Sequence, residues 1–399
     1  MNKNHGIGKL KLFNQGIGKL KLFLTILVVA HHAFLAYTPT GVGATIHDFN
    51  RTEIFSYITV IFDNFFMFTF FFIAGLFTLR SLKKRGVKRY ISSRFNRLMI
   101  PFFIASATIN IIGLYIKDFQ AAFTGATFFD YYQYVLINFF PTFHLWFLWV
   151  LFTFNLIAAL IYILFTTNAT IKTFLKNIEF NKFISNTKNE ISKKSPMNLF
   201  LIIFGLTLFI YSLSALTFGL EFVYIFGPFQ VQLGRVPTYF FMYVLGIIFG
   251  KDGLNETFLY SKDNKNVKQY KVLILTGLIS SILLGFVLVN IENLQLYVLA
   301  ENVGAVLTTL TLSSLTVGLV GIFVSKEQAK KEPSKIINSL IDNAFLIYIY
   351  HYAVVNIFQG YFYNINYLGV IEGLLVFIFS LLASYLLAFF TKKLVYKNR

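Results

Sequence analysis

Apolar runs long enough to cross a bilayer recur along the chain, separated by polar connections. A membrane-spanning helix needs roughly 20 mostly apolar residues. The pattern predicts ten such helices, at 22–38, 54–79, 98–116, 144–166, 198–218, 236–250, 272–290, 298–324, 336–358 and 369–390. The sixth is short, and the second and eighth are long enough to cross at a tilt. Two half-apolar stretches read as interfacial. One, FFDYYQYVLINFF at 128–140, is aromatic-rich and too short to cross. The other, 222–235, is interrupted by Gly227, Pro228 and Gly234 and could supply re-entrant depth beside the short sixth span. The Lys/Asn-rich stretches 167–197 and 251–271 read as polar loops. The expected architecture is an all-α polytopic membrane protein with one domain over 1–399. It comprises a basic segment at 1–21, a bundle at 22–390 and a basic tail at 391–399.

The cations give the bundle a direction. Of 35 Lys and Arg residues, 32 fall before the first span, after each even-numbered one, or in the tail. The other five connections share Arg51, Lys117 and Arg235. By the positive-inside rule, both termini face the cytoplasm. A span miscounted by one would scramble this alternation, so it supports the count as well. The net charge of +18 is thereby explained by topology and anionic-lipid contact rather than by nucleic-acid binding. Composition agrees: 56% of residues are hydrophobic and 13% charged, against about a quarter charged in soluble domains. With no cysteine, disulfides and thiolate chemistry are excluded.

The basic start followed by an apolar run resembles a signal peptide. Two histidines interrupt that run and no clear small-x-small site follows, so an uncleaved first span is expected. The octapeptide GIGKLKLF occurs at 6–13 and again at 16–23. A local duplication accounts for it, leaving a spare basic segment at the membrane surface.

Ionisable groups inside spans are costly and therefore candidates for function. The first span holds His31 and His32. Lys21 and His32 are eleven residues apart, three helical turns, so they share a face about 16 Å apart along the axis. Lys21 is expected at the cytoplasmic surface and His32 near mid-membrane, with His31 turned about 100° away. A buried imidazole can serve as a general base near neutral pH; it can also simply hydrogen-bond between helices. The third span opens with RYISSRFNRLMIP. There Arg94 and Arg97 are spaced i, i+3 on one helical face, with Arg89 about a turn earlier. Guanidinium groups at that boundary suit a phosphate-bearing cytosolic ligand, and topogenic charge accounts for their position equally well. His144 falls beside Trp146 and Trp149 at the outer interface, where tryptophan belts are ordinary. The ninth span carries Asp342 near its inner end and His351 deeper, on opposite faces. Asp63 and Glu301 are candidate partners for a buried histidine. No metal-binding histidine spacing, phosphate-binding loop or nucleophile elbow occurs, and no strong inverted repeat suggests a transporter.

With these residues in view, the chain resembles the membrane-bound acyltransferase 3 family. The resemblance rests on a basic residue, ten residues, then His in the first span, here Lys21 to His32, followed by AFLAY. Arginine is commoner at the first position, so lysine is a departure. FFMFTFFFIAGLFTLRSLKKRG resembles the family's second-span element, and RFNRLMIP its paired-arginine motif. FHLWFL and FLIYIYH are similar to elements of the glucan biosynthesis protein C branch. The likeness runs across most of the chain, though 167–335 matches mainly in topology.

The resemblance implies an acyltransferase for groups other than aminoacyl, in a bacterial cytoplasmic membrane. Acyl-CoA on the inside would be the donor co-substrate, with no permanently bound cofactor or metal. The acceptor would be a hydroxyl of an extracytoplasmic glycan or related envelope molecule, and the acyl group acetyl or succinyl. His32 would be catalytic, with His31 the alternative. Lys21, Arg94, Arg97 and Arg89 would hold the CoA. His351, His144, Glu301 and Asp63 would orient groups or line the acceptor side. A non-catalytic exporter of a polysaccharide or lipid-linked glycan is the competing reading on the same fold.

Overall fold

A computed structural model describes residues 3–39, 41, 43–167, 195–250, 264–290, 297–325, 334–363, 365 and 368–396. Side chains are described within these except at 3–12, 264, 297–301, 395 and 396. Among the described residues, ten helical segments are long and apolar enough to cross a membrane. An even number of crossings puts both chain ends on one side, and the cation distribution makes that side cytoplasmic.

The first helix, α1 (Lys3–Leu35), begins well before its apolar run, and its spanning part is Phe13–Leu35. The second copy of the octapeptide is therefore inside the bundle rather than on its surface. Gly16 explains why this is tolerated: a Cβ there would lie 2.3 Å from the Phe323 carbonyl. The second span is α2 (Glu53–Asp63) and α3 (Phe66–Arg85), interrupted at Asn64 and Phe65. The third is α4 (Val87–Arg94), a π-helical turn over Phe95–Met99, α5 (Ile100–Ala107) and α6 (Ile109–Gln120). Next come α7 (Phe128–Asn138), α8 (Trp146–Thr167) and α9 (Pro196–Phe218).

The segment 222–235 is not an interfacial or re-entrant helix, as its apolar content had suggested. It forms an antiparallel hairpin, β1 (Phe222–Phe226) with β2 (Phe229–Gln232), followed by a 3₁₀ turn at Leu233–Arg235. Its β-branched and aromatic residues favour strand, and Gly227 opens the two-residue turn at φ +48°. The remaining helices are α10 (Val236–Gly250), α11 (Asn264–Val289), α12 (Tyr297–Val324), α13 (Lys335–Phe362) and α14 (Gly369–Tyr396). Residues 264–271, expected in a polar loop, are thus already helical; 168–194 and 251–263 lie outside the described residues.

The short sixth crossing, Leu233–Gly250, is 18 residues, or about 27 Å at helical rise, close to the hydrocarbon thickness. Glycines bring it against α3. A Cβ on Gly246 would meet the Phe72 carbonyl at 2.1 Å, and one on Gly250 the Leu76 carbonyl at 2.1 Å. Small residues that let backbones approach are the usual device for helix association in lipid. Hydroxyl pairs add to it, including Thr69 with Thr316 at 2.8 Å and Thr207 with Ser313 at 3.0 Å.

Helices α1, α12 and α13 and the α2–α3 span are the most enclosed, while α9, α11 and α14 face outward with rows of exposed Leu, Ile and Phe. On the outer side, 36–52 folds back over the bundle. Lys117 Nζ donates to the Thr45 carbonyl at 2.8 Å, and Asn50 Nδ2 donates to Glu372 at 3.1 Å.

Candidate active site

His32 is in the last turn of α1, where its rigid position follows from the packing of that helix between α13 and α3. It is about 28 Å above Phe13 and only one turn from Leu35. On α13, His351 stands at the same level, about 24 Å from Lys335 and 16 Å from Phe362. The expected mid-membrane histidine is therefore displaced toward the outer face.

Three imidazoles from separate elements converge there. Ring centroids are 5.3 Å apart for His32 and His351, 6.3 Å for His32 and His144, and 4.6 Å for His144 and His351. His31 adjoins His32 at 5.1 Å but packs against Phe66 on the far side. His31, His144 and His351 are buried, whereas His32 is half-buried, with its Nδ1 covered. Among the described residues no three metal-ligating side chains are grouped to hold an ion.

The cluster is held from several directions. His351 Nδ1 is 2.7 Å from the Tyr348 carbonyl. A carbonyl only accepts, so Nδ1 carries the proton and, in the neutral ring, Nε2 is left as an acceptor. That Nε2 is buried with no hydrogen-bonding partner among the described residues. Gln359 Nε2 donates to the carbonyls of His32 and Ala33, at 3.0 and 3.3 Å, and caps the end of α1.

The turn before α8 carries His144 and is strained: Phe140 and Phe143 adopt φ of +41° and +36°. Such conformations persist only where surroundings over-determine them. Here Asn110 Nδ2 donates to the Pro141 carbonyl at 2.8 Å, Gln230 Nε2 to Thr142 Oγ1 at 3.0 Å, and the Tyr348 hydroxyl to the His144 carbonyl. Gln230 belongs to the hairpin, which gives that unexpected element a role in fixing the turn. Tyr352 closes the cluster, its ring 4.9 Å from His32 and stacked at 5.1 Å on His144.

The basic groups are lower. Lys21 lies inside the bundle rather than at the surface, about 12 Å above Phe13, with Nζ 5.0 Å from the Phe77 ring. Arg94 is half-buried, its guanidinium 5.0 Å from the Tyr90 ring and close enough to Lys21 for the two charges to interact. Arg97 is more exposed than Arg94. It sits within the π-helical turn, whose i→i+5 bonding widens the helix and changes the spacing between the two. Arg97 and Arg89 are both exposed. Behind Arg94, Tyr90 donates to Asn155 Oδ1, which also accepts from Tyr243 at 3.2 Å.

Of the two acidic candidates only Asp63 has a described side chain, and it is close enough to His31 for their charges to interact. Asp63 pairs with Arg235 at 2.6 Å. Glu301 lies in α12 with its side chain outside the described residues. Asp342 pairs with Lys392 at 3.5 Å, in keeping with its placement opposite His351. At the outer edge, burial holds the Asp48 carboxyl above the usual range, opposed by the Asn50 amide 2.8 Å away.

Sequence reasoning ranked His144 and His351 low and did not single out Tyr348, Tyr352, Asn110, Gln230 or Gln359. For the first two tyrosines a signal existed: on α13 Tyr348 is one turn below His351 and Tyr352 adjoins it. Asn110 and Gln359 act on backbone carbonyls and Gln230 on the Thr142 hydroxyl, all far away in sequence, so they leave no pattern to read.

Searches of curated proteins and of solved structures returned no match. A family profile described as an acyltransferase domain matches residues 14–389, from the start of the first span to near the end of the tenth. With a match over that extent, the chain belongs to the acyltransferase 3 family and is a multi-pass membrane acyltransferase.

Proposed function

We propose that the protein takes an acyl group from cytoplasmic acyl-CoA and places it on a hydroxyl of an extracytoplasmic glycan or related envelope acceptor. The observation that carries this reading is the position of His32: a half-buried imidazole backed by buried rings toward the outer face, with Lys21 three turns below on the same helix. Lys21 and Arg94 bind the anionic donor from inside, and the exposed Arg97 and Arg89 reach its phosphates. The donor's flexible arm extends upward between the helices and brings the thioester to His32, away from bulk water. His32 takes the proton of the acceptor hydroxyl as its oxygen attacks the thioester carbon. The new C–O ester bond forms, the C–S bond breaks, and the proton passes to the departing thiolate. His351 and Tyr352 hold the His32 ring in place. The FHLWFL and FLIYIYH elements support acetyl or succinyl transfer of the glucan-modifying kind.

Membranes incubated with radiolabelled acetyl- or succinyl-CoA are expected to label an envelope glycan. Labelling absent with both donors, or acceptor crossing that needs no acyl-CoA, overturns the reading. Label trapped on His32 would make that residue the first acyl acceptor instead of a base.

Two substitutions separate the ends of the path. Arg94→Ala should weaken acyl-CoA binding about tenfold, the worth of one charge-assisted hydrogen bond, and leave the acceptor KM unchanged. Calorimetry on purified protein checks the first and steady-state kinetics the second. His351→Phe keeps the ring volume but loses the acceptor Nε2. It should lower kcat about a hundredfold with acyl-CoA affinity intact; unaltered kcat would reduce His351 to a packing residue.

A further inference from the structure

Between the inner ends of α13 and α14 lies an open cavity of about 460 Å³. It is unrelated to the histidine cluster. Lys335, Lys392 and Lys393 line it against a single carboxylate, Asp342. The Lys392–Asp342 pair is long, 3.5 Å, and its carboxylate side is 68% exposed, so it holds little energy and yields readily to a competing anion. Asn343 also lines the cavity and is 3% exposed. Its Nδ2 donates to the Ser339 carbonyl at 2.7 Å, which fixes the orientation of the amide. Its Oδ1 is buried with no hydrogen-bonding partner among the described residues. A buried acceptor in that state is open to a donor from water or from a ligand that draws it toward the cavity. The rim is apolar: Phe389 lines the cavity, and Leu386, Phe390 and Leu394 beside it are exposed toward lipid.

We infer that this cavity binds the headgroup of an anionic phospholipid that bears free hydroxyls. The lysines take the phosphate, a headgroup hydroxyl donates to Asn343 Oδ1, and the acyl chains lie along α14. The cytoplasmic leaflet is where such lipids contact basic pockets between helices.

The test uses full-length protein in nanodiscs and native mass spectrometry of the lipids it retains. Three probes are compared: phosphatidylglycerol, phosphatidylcholine, and phosphatidylethanol, an anion with no headgroup hydroxyl. Phosphatidylglycerol should be retained at least tenfold over phosphatidylcholine. The double variant Lys392→Gln/Lys393→Gln should bring that preference close to parity, each lysine being worth roughly fivefold near an anionic leaflet. The double variant Lys83→Gln/Lys84→Gln, at the exposed end of α3, should leave it unchanged. Asn343→Leu should abolish the preference for phosphatidylglycerol over phosphatidylethanol while retaining both anions over phosphatidylcholine. Equal losses in the two lysine variants would show general surface charge and overturn the site. So would displacement of the lipid by millimolar inorganic phosphate or free CoA, which would mark a site for a soluble anion.

Discussion

His32→Ala leaves the acceptor unlabelled in membranes supplied with labelled acyl-CoA, while the protein still inserts and purifies. Removing a positioned base typically costs 10²–10⁴ in rate, and here no neighbour can stand in. His351 Nδ1 is committed to the Tyr348 carbonyl and its ring is fully buried. His144 rests on a turn clamped by three hydrogen bonds and cannot swing into the His32 position. His31 packs toward Phe66 on the opposite side of α1. His31→Ala should therefore retain far more activity than His32→Ala. Because the His32 ring packs against His144, His351 and Tyr352, a modest fall in the detergent melting temperature is expected, far smaller in effect than the loss of transfer. Full transfer activity in His32→Ala would remove the residue from the chemistry.

Gly246→Val is the second large effect, and it acts on the fold. The added Cβ would stand 2.1 Å from the Phe72 carbonyl and 3.0 Å from Gly75 Cα. Both are backbone atoms, which cannot turn aside as a flexible side chain can. Helices α3 and α10 must separate, and the Thr78–Tyr243 hydroxyl contact at 3.0 Å parts with them. A loss of about 3 kcal/mol is expected, at the upper end for overpacking. Gly205→Ala supplies the contrast. A Cβ there meets nothing within 4 Å, so this change should be neutral or stabilise by up to about 1 kcal/mol through helix propensity. Thermal unfolding of the two variants in one detergent checks both. Equal melting temperatures would show that α3 and α10 do not depend on that approach.

The ten crossings were legible because lipid imposes a one-dimensional rule. Each crossing must be helical, of a set length and apolar, so counting along the chain recovers them. Boundaries were less legible. Lys19 and Lys21 look like surface residues by hydropathy, yet α1 carries them into the bundle, since long aliphatic stems let a lysine sit among helices. The hairpin at 222–235 was hidden because a short apolar stretch of mixed β-branched and aromatic residues does not distinguish strand from helix by periodicity. The π-helical turn was hidden too, as no residue type marks one, and it changes the helical spacing between Arg94 and Arg97.

By itself the sequence determined the span count, the orientation and the reading of His32 with a basic group three turns below it, because these depend on composition and local helical period. Tertiary structure alone decided which histidines meet. His32, His144 and His351 are separated by 112 and 207 residues, and their rings touch only because α1, the strained turn before α8 and α13 pack at one level. Such contacts are long-range, set by glycine-sized approaches and by hydrogen bonds from Asn110 and Gln359 to backbone carbonyls and from Gln230 to the Thr142 hydroxyl. Local pattern carries no trace of them.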